Sequence, residues 1–286
     1  MPASTFASLV TQALEEDLGR GDATARAVVE PDTRARAVVL AKGEGIVAGM
    51  PVARAVLRQV DRRVRVRRAA ADGARVTPGD RVLELAGPAR SILEAERVCL
   101  NFLQRLSGIA TATDRLVGLV RGTSARVYDT RKTVPGYRAL DKYAVRMGGG
   151  VNHRDGLYDQ ILLKENHFAA AAAQGLDFAA TVRRARQFAG RRLRVEVETE
   201  NLAQFHVALA EGADIIMLDE FSLADMRKAV AAARKRRPRP ELEASGGITQ
   251  HNIRAVAETG VDRISVGALT HSVRAFDLAL YVESAR

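Results

Sequence analysis

Short apolar runs that alternate with helical stretches dominate the segment from Arg126 to about Ala268, and this alternation constrains the fold most strongly. Nearly all-apolar strands separated by helices indicate a parallel sheet covered by helices. Six units are too few for the usual eight-stranded barrel, which leaves a smaller or open α/β barrel, or a doubly wound sheet. The six predicted strands are Arg126–Tyr128, Gln160–Leu163, Leu193–Val197, Ile215–Leu218, Leu242–Ala244 and Arg263–Val266.

The first hundred or so residues follow a different pattern, in which half-buried strands alternate with helices. A helix from Thr5 to Leu18 is expected to stop at Gly19, and a long helix runs from about Ser91 to Val120, with Gly108 as the point where it could break. From about Val273 onward we expect a last helix that packs back on this domain. The strands predicted here are Arg34–Ala41, Arg63–Arg68 and Arg81–Leu85.

Composition restricts the class of protein. Apolar residues make up 47% and charged residues 27% of the 286 residues, which favours a folded core over disorder. No apolar run is long enough to span a membrane, the first residues lack the layout of a signal peptide, and one cysteine, Cys99, excludes an internal disulfide. We therefore expect a cytoplasmic globular protein in which Cys99 is buried.

The formal net charge of +10, carried mainly by arginine, suits either nucleic acid or small ligands with carboxylates and phosphates. The run Arg234-Lys235-Arg236-Arg237 is the one candidate nucleic-acid footprint. It follows a predicted helix, where cations are favoured by the helix dipole and commonly face solvent. The charge therefore favours an anionic small ligand.

Polar side chains stand just past each predicted strand. Parallel α/β folds place their active sites at the carboxyl ends of the strands, so these stretches are expected to converge on one mouth. The cations among them suit carboxylates and phosphates, and the acids suit Mg²⁺ or sugar hydroxyls. The residues are Asp129, Arg131 and Lys132 after the first strand, Lys164 after the second, Glu196 and Glu198 on the third, Asp219 and Glu220 after the fourth, Ser245-Gly246-Gly247 after the fifth and Gly267-Ala268 after the sixth.

Glycines in two places suggest contact with a ligand. Ser245-Gly246-Gly247 would present backbone amides to a phosphate at the start of a helix, with Gly267 beside it. Gly148-Gly149-Gly150 suggests a backbone close to a ligand, which would bring in His153 and Arg154, or else a flexible loop. His153 and His167 lack partners at zinc-ligand spacing. Since Walker and dinucleotide-binding motifs are also missing, the residues predict a barrel-like enzyme for a multiply anionic, phosphorylated substrate.

Ordered motifs along nearly the whole chain resemble the quinolinate phosphoribosyltransferase family (carboxylating nicotinate-nucleotide pyrophosphorylases, among the type II phosphoribosyltransferases). One departure is Glu220, where the family often has asparagine after the Leu-Asp pair. The motifs are residues 16–22, Glu96-Arg97 with Leu100-Asn101, residues 106–111, Asp129-Thr130-Arg131-Lys132-Thr133, Gly148-Gly149-Gly150 with Asn152-His153-Arg154, residues 163–167, Glu196-Val197-Glu198, Leu218-Asp219 and residues 245–248.

The resemblance implies an N-terminal α/β sandwich-like domain at residues 1–112, with the C-terminal helix 273–286 packed back on it, and an open six-stranded α/β barrel at residues 113–272. It implies a homodimer, or a higher oligomer, in which one subunit's first domain covers its neighbour's barrel. It also implies transfer of the phosphoribosyl group from phosphoribosyl pyrophosphate to quinolinate. Loss of carbon dioxide then gives nicotinate mononucleotide for NAD synthesis.

The resemblance also implies the roles of individual residues. Arg131, His153, Arg154 and Lys164 would hold quinolinate, with Arg97 supplied by the partner subunit. Lys132, Lys164, Glu198 and Asp219 would be catalytic, and Glu198 and Asp219 would meet Mg²⁺, directly or through water; no organic cofactor, nucleic acid or membrane is expected. The set for phosphoribosyl pyrophosphate is Thr130, Arg131, Lys132, Lys164, Glu198, Asp219, Ser245, Gly246, Gly247, Val266, Gly267 and Ala268.

Two other readings remain open from the sequence. A related phosphoribosyltransferase could act on nicotinate or another base, or the chain could be the molybdenum-associated paralogue. The carboxylate-binding set Arg97, Arg131, His153 and Arg154 favours a dicarboxylate.

Overall fold

The computed structural model of this chain describes residues 2–285, and the chain forms two units. The first unit takes the chain up to Asp114, Thr133–Gly149 and the chain from Ala268 onward. The second takes Arg115–Lys132 and Gly150–Gly267. Among the described residues, no helix is both long and apolar enough to cross a membrane.

The first unit is built on a four-stranded antiparallel sheet in the order β12-β1-β5-β3. The long helix α4 is continuous through Gly108, so the break considered there does not occur. The elements are a 3-10 turn (Ala3–Thr5), α1 (Ala7–Leu18), α2 (Ala23–Val28), β1 (Arg34–Ala41), β2 (Gly45–Ile46), α3 (Met50–Val60), β3 (Arg65–Ala69), β4 (Arg75–Val76), β5 (Arg81–Pro88), α4 (Ala89–Leu119), α5 (Arg138–Met147), α11 (Ala268–His271) and β12 (Leu278–Ala285).

The C-terminal segment is a strand, so the helix predicted at 273–286 is wrong over its described part. β12 pairs antiparallel with β1, from Ala35 opposite Ala285 to Ala41 opposite Leu278. In this segment Leu278, Leu280 and Val282 alternate with other residues, a period of two that suits a strand. The backbone of β1 is hydrogen-bonded by this pairing along its second edge, which decides the conformation. Arg286 lies outside the described residues.

The second unit carries the predicted parallel sheet, with its six strands in the order β6-β11-β10-β9-β8-β7. β6 and β7, the first two strands of this unit in chain order, form the two edges of the sheet. The sheet is therefore open. The predicted fold class is confirmed. The elements are β6 (Arg126–Tyr128), β7 (Ile161–Leu163), α6 (Glu165–Ala172), α7 (Phe178–Ala189), β8 (Val195–Thr199), α8 (Leu202–Ala210), β9 (Ile215–Asp219), α9 (Leu223–Ala233), β10 (Glu241–Ser245), α10 (Ile253–Ala257) and β11 (Arg263–Ser265).

Local sequence explains why a helix follows so soon after β8 and β9. Ile215, Ile216 and Leu218 of β9 are fully buried, as expected for a strand covered on both faces. Asn201 and Ser222 accept hydrogen bonds from the backbone N–H groups of Gln204 and Asp225, so both residues cap the next helix within a few residues of the strand end. Short loops of this kind leave the carboxyl ends of the strands accessible at one edge of the sheet.

Two of the three consecutive glycines have a structural role in the first unit. A Cβ on Gly148 would lie 2.2 Å from the carbonyl oxygen of Ala110 in α4, so only glycine allows this close approach. Gly149 has φ +83°, in the left-handed region that favours glycine. Helix packing and a turn therefore account for two of the three glycines.

Candidate active site

A cavity of about 320 Å³ lies in the second unit, within the size range of small-molecule sites. Its walls come from the residues that follow β6 and β7, the loop before β7, and the ends of β10 and β11. It therefore occupies the carboxyl-end mouth that the strand pattern predicts. It is lined by Thr130, Arg131, Lys132, His153, Arg154, Leu162, Lys164, Met217, Glu243, Ser245 and Ser265.

Seven of the predicted site residues line this cavity, and most of them are basic: Thr130, Arg131, Lys132, His153, Arg154, Lys164 and Ser245. Among these residues, Arg131 gives the clearest indication of a ligand. Its Nε is shielded from solvent and has no hydrogen-bond partner among the described residues. A buried guanidinium N–H without an acceptor is costly, so the cavity favours an anion at this point.

Lys164 and Glu198 form an ion pair at the ends of neighbouring strands. The Lys164 Nζ donates to Glu198 Oε2 at 2.5 Å, and Glu198 is buried whereas Lys164 is half exposed. Lys164 therefore neutralises a buried carboxylate and still reaches the cavity. The pair can offer a cation and a carboxylate to two parts of one ligand.

His153 lies over a buried cluster of charged residues that was not predicted from the sequence. Its Nε2 is 3.1 Å from Glu196 and 3.4 Å from Glu243, and its Nδ1 accepts a hydrogen bond from the Arg154 backbone N–H at 2.8 Å. His153 therefore has two acidic neighbours from distant strands, although no histidine or cysteine lies at zinc-ligand spacing from it in the sequence. Arg263 stands 2.8 Å from Glu243, so a guanidinium already compensates this acidic group.

The pKa values in this cluster follow from burial and neighbouring charge. Burial, together with the charge of Glu243, raises the pKa of Glu196. Burial also works to raise the pKa of Glu243, but His153 and Arg263 outweigh it and lower that pKa. Burial lowers the pKa of His153, and the two carboxylates more than offset this, raising it to about 9. The hydrogen bond that Nδ1 accepts from the Arg154 backbone N–H opposes that rise, because it requires a lone pair on Nδ1.

Glu243, Ser265 and Arg263 are functional candidates that the sequence reading missed. Glu243 and Ser265 line the cavity, and Ser265 Oγ donates a hydrogen bond to Glu243 Oε1. Arg263 stacks over the ring of Tyr128, 4.1 Å from its centroid. One feature of the sequence could have indicated them: Glu243 and Arg263 are charged residues within short predicted strands that are otherwise mostly apolar.

Glu198 and Asp219 have the donor type that Mg²⁺ prefers, but they do not form a closed cage. Among the described residues, the one group of three potential ligands within 4.8 Å of one another is His153, Glu196 and Glu243, which excludes both of them. Glu198 is already paired with Lys164. Such a donor set fits a Mg²⁺ ion that keeps waters and takes further oxygens from a substrate phosphate.

The glycine pair after β10 differs from its predicted form. Gly246 and Gly247 have φ +83° and +58°, and the next helix, α10, begins only at Ile253. The prediction that these amides open a helix is therefore wrong, since Thr249 and Asn252 form a hydrogen-bonded turn first. A Cβ on Gly246 would lie 3.0 Å from the backbone nitrogen of Glu220, and the positive φ of Gly246 also favours glycine at this close approach of two strand ends.

Glu220 stands in a backbone conformation that favours asparagine, the residue that the family resemblance leads us to expect at this position. It is the one non-glycine residue with positive φ (+54°) in the described chain, and its backbone N–H donates to Ser245 O at 3.0 Å. Asparagine adopts this left-handed conformation far more readily than glutamate. The side chain is exposed, so its chemical identity is free to change without disturbing packing.

We expect Glu220→Asn to stabilise the protein because it relieves left-handed strain at an exposed position. The expected gain is about 1 kcal/mol in the free energy of unfolding, or a rise of ~2–3 °C in melting temperature. Thermal denaturation measures it, with Glu200→Asn, at an exposed acidic residue outside the left-handed region, as the matched control. A gain of equal size in both variants would contradict the backbone explanation.

The remaining predicted residues do not line the cavity. Asp219 ends β9 opposite Ser245, and Val266 is buried with its N–H bonded to Tyr128 O. Arg97 lies on α4 and Ala268 opens α11, both in the first unit. The others are Glu198, Gly246, Gly247 and Gly267.

The basic run after α9 is partly used to bond backbone carbonyls. Arg236 donates to Leu209 O, and Arg237 donates to Arg234 O. All four residues of the run are exposed, but two of its guanidiniums are thereby tied to the chain itself. These contacts favour a structural role for the run over a role in binding nucleic acid.

Comparison with known proteins gives the family. Residues 22–107 match the model of the quinolinate phosphoribosyl transferase N-terminal domain, and residues 109–281 match that of its C-terminal domain. Nicotinate-nucleotide pyrophosphorylase [carboxylating] of Mycobacterium leprae is 44% identical over 95% of both chains, and the probable enzyme of Bacillus subtilis is 42% identical over 93% of this chain and 90% of its own. The solved structure of the Francisella tularensis enzyme superposes with a TM-score of 0.93, at 42% identity over 99% of this chain and 98% of that one. The chain therefore belongs to the quinolinate phosphoribosyl transferase family.

Proposed function

We propose that this protein transfers the phosphoribosyl group of phosphoribosyl pyrophosphate to quinolinate with decarboxylation. The products are nicotinate mononucleotide, pyrophosphate and carbon dioxide, in the de novo synthesis of NAD. The relatives named above carry the corresponding activity in their names. The observation that carries the proposal within this chain is the basic cavity in which a shielded Arg131 Nε lacks an acceptor.

In the proposed complex, the basic wall of the cavity binds the two carboxylates of quinolinate. Arg131 and Arg154 suit planar carboxylates because a guanidinium can donate two parallel hydrogen bonds. Lys164 adds a point charge, and His153 contributes from the base of the cavity. Arg97 would complete the set from the partner subunit.

Phosphoribosyl pyrophosphate is proposed to bind along the strand ends next to quinolinate. Lys132 and Lys164 would face its phosphates, and Glu198 and Asp219 its ribose hydroxyls. Ser245, Gly246, Gly247, Val266, Gly267 and Ala268 would surround the 5′-phosphate. Mg²⁺ bound with the pyrophosphate would neutralise its charge, with Glu198 and Asp219 as the protein carboxylates available to it.

The proposed chemistry needs charge stabilisation and positioning from the protein and no organic cofactor. The pyridine nitrogen attacks the anomeric carbon while the bond from that carbon to pyrophosphate breaks. Nearby carboxylates stabilise the oxocarbenium-like transition state, and Lys132 stabilises the departing pyrophosphate. The C2 carboxylate then leaves as carbon dioxide. Its electron pair stays on C2, beside the cationic ring nitrogen, until solvent supplies a proton.

A homodimer is part of the proposal because the loop that carries Arg154 ends in an exposed apolar tip. Leu157 and Tyr158 are 74% and 77% exposed, although Asp159 fixes the loop by accepting the N–H groups of Asp155 and Gly156. A fixed loop with two adjacent large apolar side chains in solvent is typical of a contact surface. A second copy of this chain would cover it.

An assay with quinolinate and with nicotinate tests the proposed function. With phosphoribosyl pyrophosphate and Mg²⁺ present, we expect kcat/KM for quinolinate to exceed that for nicotinate by at least a hundredfold, since nicotinate would leave cations in the cavity unpaired. Release of carbon dioxide and formation of nicotinate mononucleotide should occur in equal amounts. Nicotinate as the better substrate would overturn the proposal.

A further inference from the structure

We propose that Gln160 and Glu196 are positioning residues that orient Arg154 and His153 toward the pyridine dicarboxylate. They would set the affinity for quinolinate without touching it. The inference rests on the proposed function and deepens it, because it assigns a task to two buried residues outside the cavity lining.

The observation is a closed circuit of polar contacts through four residues. Gln160 Nε2 donates to Glu196 Oε2, and the same oxygen lies 3.1 Å from His153 Nε2. His153 Nδ1 accepts from the Arg154 backbone N–H at 2.8 Å. Arg154 Nη1 then donates to the backbone oxygen of Gln160 at 3.1 Å, which closes the circuit. All four residues are buried.

The circuit matters because its two basic members, His153 and Arg154, lie on a loop. From Asn152 to Gln160 the chain has no helix or strand, so no regular backbone ladder fixes its direction. Asp129 fixes the start of the loop by accepting from Asn152 Nδ2 and the His153 N–H. Glu196 lies on β8, inside the sheet, and therefore ties the loop to a rigid element.

The circuit also determines which donors Arg154 can offer. One Nη1 hydrogen bond goes to Gln160 O, which restricts the orientation of the guanidinium and leaves other N–H groups for a ligand. Glu196 holds the His153 ring from one side while the Arg154 N–H holds it from the other. Misplacement of binding groups by about 1 Å can cost about a hundredfold in rate, so loosening this circuit should have a large, substrate-specific effect.

Steady-state kinetics of four variants test the proposal. Gln160→Met keeps the side-chain shape but removes the donor, and Glu196→Gln replaces the carboxylate by a neutral amide, whose single oxygen is a weaker acceptor for the two donors that point at it. We expect each to raise KM for quinolinate by about tenfold to hundredfold, as for loss of other supporting contacts around a site, and to change KM for phosphoribosyl pyrophosphate less than threefold. The exchanged pair Gln160→Glu with Glu196→Gln restores the donor and acceptor between these two side chains but not the contact with His153 Nε2, so it should recover only part of the affinity. Gln174→Met, at an exposed glutamine, is the matched control and should behave as wild type.

The outcomes are separable. Failure of the wild-type protein to turn over quinolinate would overturn the proposed function, and this inference with it. Normal wild-type turnover with unchanged or equally raised KM values for the two substrates in the variants would overturn the positioning role alone. An exchanged pair no better than the single variants would also count against it. If either single variant fails to fold, the exchanged pair and the other variant still decide between these outcomes.

Discussion

Replacing Arg131 with alanine is expected to reduce kcat/KM for quinolinate by a factor of about 100–1,000. Arg131 lines the cavity, and its shielded Nε lacks an acceptor among the described residues. A hydrogen bond to a charged group contributes about 1.5–3 kcal/mol, and a guanidinium can make two to one carboxylate. Steady-state kinetics of purified Arg131→Ala measures the loss, which should exceed the loss for nicotinate because one substrate carboxylate is left unpaired.

Two further variants separate charge from geometry. Arg131→Lys keeps the positive charge but loses the planar pair of donors, so it should recover only part of the activity. Arg184→Ala, at an exposed arginine of α7, removes the same side chain away from the cavity and should leave the kinetics unchanged. Near-normal turnover of quinolinate by Arg131→Ala would exclude this arginine from carboxylate binding.

The parallel sheet was predictable because each of its strands is a short apolar run between turn signals. All six predicted strands exist, within two residues of their expected ends. The sheet edge where their polar ends meet was predictable for the same reason, since parallel strands present their carboxyl ends together. Arg131, Lys132 and Lys164 therefore reached one cavity as expected.

The C-terminal strand shows the limit of local pattern. Val273–Ser284 contains alanines and charged residues that allow a helix, and its alternation over Leu278–Val282 is short. β1 needed a partner along its second edge, and this need arises only in the folded chain. A tertiary contact thus overrode a weak local preference.

The buried cluster beneath the cavity could not be predicted for a related reason. Glu196, Glu243 and Arg263 were read as strand ends or as parts of apolar strands, and none has a partner nearby in the sequence. They meet because the sheet order brings β8, β10 and β11 together around His153. Strand order depends on packing of the whole unit, which no short motif encodes.

Replacing Arg263 is expected to lower the free energy of unfolding more than any other single substitution proposed for this protein. Its Nε is 2.8 Å from Glu243 Oε2, its guanidinium stacks on Tyr128, and both charged side chains are buried. Arg263→Ala would leave the Glu243 carboxylate buried without its cation. Breaking such a pair costs about 3–5 kcal/mol in the free energy of unfolding. Denaturation by urea measures this cost through the shift of the midpoint.

A nearby ion pair supplies the control for this prediction. Arg239 donates two hydrogen bonds to Asp262, each at 3.0 Å, but its side chain is one-third exposed, so Arg239→Ala should cost less than about 1 kcal/mol. The double variant Arg263→Ala with Glu243→Gln removes the uncompensated charge together with the cation. It should therefore be more stable than Arg263→Ala alone, because the penalty arises from the stranded carboxylate and only secondarily from the lost attraction. If the second substitution adds a further loss instead, the destabilisation comes from the lost packing of Arg263 on Tyr128.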